Sequence, residues 1–409
     1  MVNQYSFRNF NLKRHLFLLF LSLAILAPKI GYVDYPVVIL FFISLYYFFK
    51  KPNQSISKVF YQIIFSWIFL ILWSFITLIY NGTVNEVLIL KPIRQIIIIL
   101  FLIIIISKTK LSFTDIYKVI IISALINTFV ISLQLYGHNV LGTPDFLMPI
   151  SFDSELNVPF RKPGVFAGYP HSGLLSLFAI VCIVNKVNKI KIQYFILLFL
   201  ILFFSLIVTS RTALMLSFLP IGWLFAKSLR SKKIFVKSLI FSIVVVLGLI
   251  SILDILPADT TNVAFEGFIN YKENGTFNTE SQQGLNNSYI IPQKIATYLF
   301  GNGLANRTDV DTNIDDGYQS LLYGSGLIYF FISILLFFTY YLVTLKNSGP
   351  KNLIIISILY AIILIANYKV DCLFSRVISE IFTMLLVVSV CSKRYKLFNN
   401  EGPILYSSK

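Results

Sequence analysis

Three short stretches place charged side chains where apolar sequence begins or ends. In TSRTALM, residues 209–215, Arg211 separates two apolar runs and has no acidic neighbour in sequence. A guanidinium at the edge of hydrocarbon needs an anion, supplied by another helix or by a substrate. Diphosphate suits it, because the planar fork donates to two oxygens at once. Arg161 and Lys162 form a second cationic pair, beside Gly164 and Gly168. Glycines there let backbone approach a ligand or take positive φ, and the same spacing also describes a plain re-entrant turn with lipid-facing charges. Asp315 and Asp316 form the third stretch, just before an apolar run. One carboxylate at such an entrance serves as an N-cap, which leaves the other to spare.

Further charges are less decisive. Lys91 and Arg94 enter the apolar run after NGTVNE and carry either a ligand or the phosphates of lipids reached by snorkelling. Lys369, Asp371 and Arg376 sit close enough in sequence to pair with one another. The three cysteines and three histidines are scattered, with no disulfide framework and no zinc-ligand spacing.

These residues are held by segments built for lipid. Hydrophobic residues make up 57% of the 409 and charged ones only 13%, a composition that cannot cover an apolar surface in water. Apolar spans are expected near 16–34, 35–49, 59–80, 87–106, 116–136, 171–185, 194–209, 212–226, 234–254, 318–345, 352–368 and 377–391. The chain therefore reads as an all-α polytopic integral membrane protein of about twelve transmembrane helices, each needing roughly 20 residues to cross. Residues 1–254 carry helices one to nine with a smaller outer loop at 137–170. Residues 255–317 form one large outer loop, and 318–409 hold the last three helices and a short basic tail. Most Lys and Arg fall on the side that puts both termini in the cytoplasm, so the net charge of +16 is topological and implies no nucleic acid. The basic, then apolar N-terminus reads as an uncleaved first helix rather than a signal peptide. The large loop is acidic, with Asp259, Glu266, Glu273, Glu280, Asp309, Asp311, Asp315 and Asp316 against Lys272, Lys294 and Arg307. Residues 287–300 suit an interfacial helix after Pro292, and Gly301 and Gly303 then turn the chain.

Taken in order, three patterns resemble the O-antigen polymerase and ligase superfamily. Arg161, Pro163, Gly164 and Phe166, leading to Pro170, His171, Ser172 and Gly173, are similar to its Arg-x-x-Gly-x-Phe run before a helix. Ser210-Arg211-Thr212 matches its Ser-Arg-Ser/Thr turn. Gly301 and Gly303, then Asp315-Asp316-Gly317-Tyr318 and Gly326-Leu327-Ile328, match its re-entry pattern. The ligase branch carries His where this chain has Asp315-Asp316, which favours the polymerase branch.

The resemblance implies a GT-C-like fold in a bacterial inner membrane, with the site facing the periplasm or exterior. It implies glycosyl transfer between undecaprenyl-diphosphate-linked oligosaccharides in O-antigen or capsule synthesis, without cofactor or metal. A chain-length regulator and a flippase are the expected partners beside membrane lipid. Arg211 first, then Arg161, would hold the diphosphate, and Asp315 or Asp316 would be the base. His171, Arg94, Arg307 and Tyr318 complete the expected substrate contacts. A ligase and a polysaccharide flippase or transporter are the rival readings; transporters tend toward repeat symmetry and short loops, which this chain lacks.

Overall fold

The computed structural model describes residues 2–30, 33–50, 57–82, 86–149, 161–166, 168–229, 234–236, 238–240, 242–243, 265–266, 269–276, 294–303 and 317–400. Arg307, Asp315 and Asp316 lie outside the described residues, as does most of the span expected at 234–254. Among the described residues up to 229 there are nine helices: α1 (Val2–Leu26), α2 (Tyr35–Lys50), α3 (Lys58–Asn81), α4 (Glu86–Thr109), α5 (Phe113–Asn139), α6 (Tyr169–Asn185), α7 (Ile192–Thr209), α8 (Arg211–Leu216) and α9 (Phe218–Ser228). Among the described residues from 294 on are α10 (Ile295–Phe300), α11 (Gly317–Asn347), α12 (Pro350–Ala366) and α13 (Ile378–Asn400). Among the described residues α3, α4, α5, α7 and α11 are each long and apolar enough to cross a membrane, and shorter apolar helices accompany them. This is compatible with a multi-pass helical membrane protein.

Runs of Ile, Leu and Phe drive these helices, and local signals set their ends. Asp115 accepts the Ser112 N–H at 2.9 Å to start α5. Gly82 closes α3 by donating its N–H to Leu78 O at 2.8 Å. The hydrophobic centre lies along α6 and the first half of α13, where side chains are buried all round. α6 packs between α5 and α7, while α13 packs against α4 and α11.

Three expected spans are corrected. The first ends at Leu26, not near 34, because Pro28 disfavours helix in the residue before it. The chain then makes a small antiparallel pair, β1 (Lys29–Ile30) with β2 (Val33–Asp34). The span at 212–226 divides into α8 and α9 at Ser217, where the Pro220 ring would meet the Leu216 carbonyl of a continuous helix. The span at 318–345 is interrupted inside α11 at Gly326, with φ 80° and ψ 171°.

Candidate functional site

The α7–α8 junction is built around Ser210. Its backbone is extended, at φ −142° and ψ 114°, which ends α7 and turns the chain. The Ser210 hydroxyl then accepts the Ala213 N–H at 3.2 Å and caps α8. The last carbonyls of α7 find partners in the segment 161–166. Arg161 Nη2 donates to Thr209 O at 2.9 Å, and the Lys162 N–H donates to Val208 O at 3.4 Å. The Arg161 guanidinium also lies over the Tyr169 ring, 4.4 Å from its centroid. Burial, and then the like charge of Arg211, lower the proton affinity of Arg161.

Arg211 is the first residue of α8, beside Arg161. Its guanidinium pairs with Glu266, from the polar region after α9. The anion that Arg211 requires in sequence terms is thus a carboxylate of the chain itself. Both side chains remain partly accessible, Arg211 at 25% and Glu266 at 19%, so a competing anion can reach the pair.

Two buried amides of α5 fix segment 161–166. Gln134 pairs with Gly164 much as a neighbouring strand would: Gly164 N–H donates to Oε1 at 2.9 Å, and Nε2 donates to Gly164 O at 2.8 Å. The same Nε2 reaches Leu147 O at 2.8 Å. Asn127 Oδ1 accepts the Val165 N–H at 3.0 Å, and its Nδ2 donates to Ser172 Oγ at 2.5 Å. Gly164 has φ +67°, and a Cβ there would overlap Asn127 Oδ1, so this position needs glycine on both counts. Lys162 is fully buried, its Nζ 2.5 Å from His138 Nδ1, and burial pulls its ammonium down to about 8.

His171 joins this region to a second one. Its ring stacks near that of Phe166, with centroids 6.5 Å apart, and its Nε2 lies 3.3 Å from Asp371 O. The Asp371 carboxylate pairs with Lys91 at 3.1 Å. Gly317, the first residue of α11, donates its N–H to Asn367 O at 3.0 Å, and a Cβ there would lie 2.7 Å from Asp371 Cα. Tyr318 follows, its hydroxyl donating to Leu364 O at 2.7 Å near the end of α12.

Arg94 belongs to a separate buried ion network. Its Nε donates to Asp34 Oδ2 at 2.5 Å, and its Nη2 pairs with Glu380, which is fully buried. Ser379 Oγ donates to the other Glu380 oxygen at 2.9 Å. Arg376 stands 4.0 Å from Asp34 and donates to Ala27 O at 2.5 Å. The network joins β2 to α4 and α13. Asp371 and Arg376, near one another in sequence, thus take their partners elsewhere.

A second helix break is sealed by polar groups. At Gly326 the carbonyls of Tyr323 and Gly324 accept the N–H groups of Asn302 at 2.9 Å and Gly303 at 3.0 Å. Ser325 O accepts the Trp73 indole N–H at 3.3 Å. α10 is held in this gap from the other side, where Thr77 Oγ1 donates to Phe300 O at 3.0 Å and Asn81 Nδ2 to Gly301 O at 3.2 Å. Interrupted backbone inside an apolar bundle persists only with such replacements.

The structure thus brings Arg161 and Arg211 together and links His171, through Asp371, to the start of α11 beside Tyr318. It puts Arg94 elsewhere. Asn127, Gln134 and Glu380 are the residues that sequence reasoning passes over, and Glu266 is read there only as one of the loop's acids. Asn127 and Gln134 do carry a signal, being polar and seven residues apart on one face of an apolar helix. Glu380 carries another, as an acid inside an apolar run. Among the described residues no group of three His, Cys, Asp or Glu could hold a metal ion. Compared with known proteins, the chain matches no protein-family model, no curated protein and no solved structure.

Proposed function

We propose that the protein is a polymerase of lipid-linked glycan repeat units in the bacterial inner membrane, with its site on the periplasmic or exterior side. The observation that carries this reading is the Arg161–Arg211 pair at a sealed break between two apolar helices. Arg161 bonded to the last carbonyl of α7 and Arg211 opening α8 are near enough to repel one another, and Arg211 rests against a partly accessible carboxylate, a setting suited to a diphosphate. In the proposed reaction the bond between the growing glycan and its undecaprenyl diphosphate breaks. The anomeric carbon joins a hydroxyl of the incoming lipid-linked repeat unit. The diphosphate leaves onto the arginines, and Asp315 or Asp316 takes the hydroxyl proton.

The three sequence patterns and the His171–Asp371 contact beside the start of α11 support the same reading. The test is gel analysis of surface and lipid-linked glycan in a deletion strain, with complementation. Single repeats on the final acceptor support a polymerase. Long polymer left on its lipid carrier indicates a ligase, and repeats trapped in the cytoplasm a flippase. An unchanged glycan ladder rejects all three. Normal polymer length in both Asp315→Asn and Asp316→Asn would remove the base assignment.

A further inference from the structure

At the end of the bundle opposite Arg161, three lysines gather without a carboxylate of their own. Lys118 lies in the first turns of α5, Lys186 directly follows α6, and Lys189 belongs to the same turn, its N–H donating to Lys186 O at 2.8 Å. Lys186 is partly buried, and burial lowers its proton affinity; the nearby charges of Lys118 and Lys189 lower it further. The buried Cys182 thiol and the Asp115 carboxylate favour its charge, and that carboxylate is already engaged. Arg14 donates to it at 2.5 and 3.2 Å, and Ser112 donates through both its hydroxyl, at 2.5 Å, and its N–H, at 2.9 Å. Among the described residues no ion pair neutralises Lys118, Lys186 or Lys189.

The surroundings point to lipid as the source of the missing anion. Lys227 donates to Val184 O at 3.2 Å and Asn185 O at 3.4 Å, at the end of α6, and lies 3.9 Å over the Trp223 ring. A Trp–Lys pair is typical of the level where headgroups meet acyl chains. The helices flanking the cluster expose long apolar side chains, Leu12 and Leu16 on α1 and Tyr194 and Leu197 on α7. A ligand here meets ammonium groups at one end and an apolar helix surface along its length.

We propose that Lys118, Lys186 and Lys189 form a binding site for the phosphodiester headgroup of an anionic phospholipid, its acyl chains lying along α1 and α7. The site is independent of the glycan-polymerising reading and of the arginine pair. A lysine near a membrane surface strengthens anionic-lipid binding about fivefold. Replacing all three with Gln should therefore weaken it on the order of a hundredfold.

The test uses the full chain, delipidated in neutral detergent and titrated with cardiolipin in native mass spectrometry. The expected result is tight cardiolipin binding by wild type, strong loss in the Lys118→Gln/Lys186→Gln/Lys189→Gln variant, and retention in Lys346→Gln/Lys351→Gln. Phosphatidylethanolamine should bind weakly and alike to all. The charge-conserving triple Arg variant should keep cardiolipin, and single Lys189→Gln should lose about fivefold, which covers a triple Gln variant that fails to fold. Equal binding by wild type and Gln variants, or equal binding of phosphatidylethanolamine, overturns the proposal. Displacement of cardiolipin by millimolar inorganic phosphate does so too, since it would mark a free-anion site.

Discussion

Gly164 and Gly142 offer a matched pair for measuring what holds the Arg161 segment. Both have positive φ, +67° and +64°, so alanine at either carries the same left-handed strain, about 1–2 kcal/mol. At 142 nothing lies within 4 Å of an added Cβ, and strain is the whole cost. At 164 the Cβ overlaps Asn127 Oδ1 and stands 2.9 Å from Cγ. Asn127 is buried, and moving it breaks its bonds to Val165 N–H and Ser172 Oγ. Each buried group left unpaired costs about 1–3 kcal/mol. Gly164→Ala should therefore cost roughly 3–8 kcal/mol and Gly142→Ala no more than about 2.

The assay is thermal unfolding of the purified full chain in detergent, followed by tryptophan fluorescence, with activity measured in parallel. Gly164→Ala should lower Tm at least twice as far as Gly142→Ala. It should also depress the proposed polymerase activity, since the segment carries Arg161. In the double variant Gly164→Ala/Asn127→Gly the contact is already gone, so the two effects should not add. Equal Tm shifts for the two alanines, or full additivity in the double variant, would refute the account of a segment clamped by α5.

Three further outcomes follow from the ion pairs. Glu266→Gln should bind farnesyl diphosphate about fivefold tighter than wild type in a calorimetric titration, because a neutral amide competes less well for Arg211. Arg211→Lys should not restore the binding that Arg211→Ala loses, and unchanged affinity in all three would separate Arg211 from anion binding. Glu380→Ala should destabilise the protein by about 3–5 kcal/mol, the usual cost of stripping one partner from a buried pair, whereas a shift within error would mean that Asp34 alone satisfies Arg94. Lys162 titrates near 8 in the folded chain and near 10.4 when unfolded, so between those values the unfolded state binds more protons. Stability should rise with pH across that window in wild type and rise less in Lys162→Met; superimposable profiles would exclude burial of the ammonium.

Apolar periodicity carries most of the helix positions, because a run such as Ile192–Thr209 has few ways to satisfy its backbone other than as helix. It does not reveal where a helix is interrupted. Gly324-Ser325-Gly326 sits inside an apolar run, and its break depends on Asn302, Gly303 and Trp73, which approach from distant segments. The α7–α8 junction is more legible, since Ser210 is a good cap and Arg211 cannot stay in lipid unpaired. Even there, the donors that seal it come from 48 residues away for Arg161 and Thr209.

The two breaks use one device with different consequences. At Gly326 the replacements are backbone N–H groups and an indole, all uncharged. At Ser210 one replacement is the Arg161 guanidinium, and the next residue, Arg211, carries a second whose charge disfavours it. A neutral donor would satisfy Thr209 O as well as Arg161 does, without the repulsion that two like charges impose at low dielectric. Sealing the helix end therefore does not explain why the chain keeps two arginines there. Glu266 offsets the charge of Arg211 alone, and the proposed diphosphate, with more than one negative charge, would turn the remaining repulsion into a gain shared by both. The absence of diphosphate binding in wild type, with Glu266→Gln equally inert, would leave the arginine pair as a costly cap and remove the physical case for the proposed reaction.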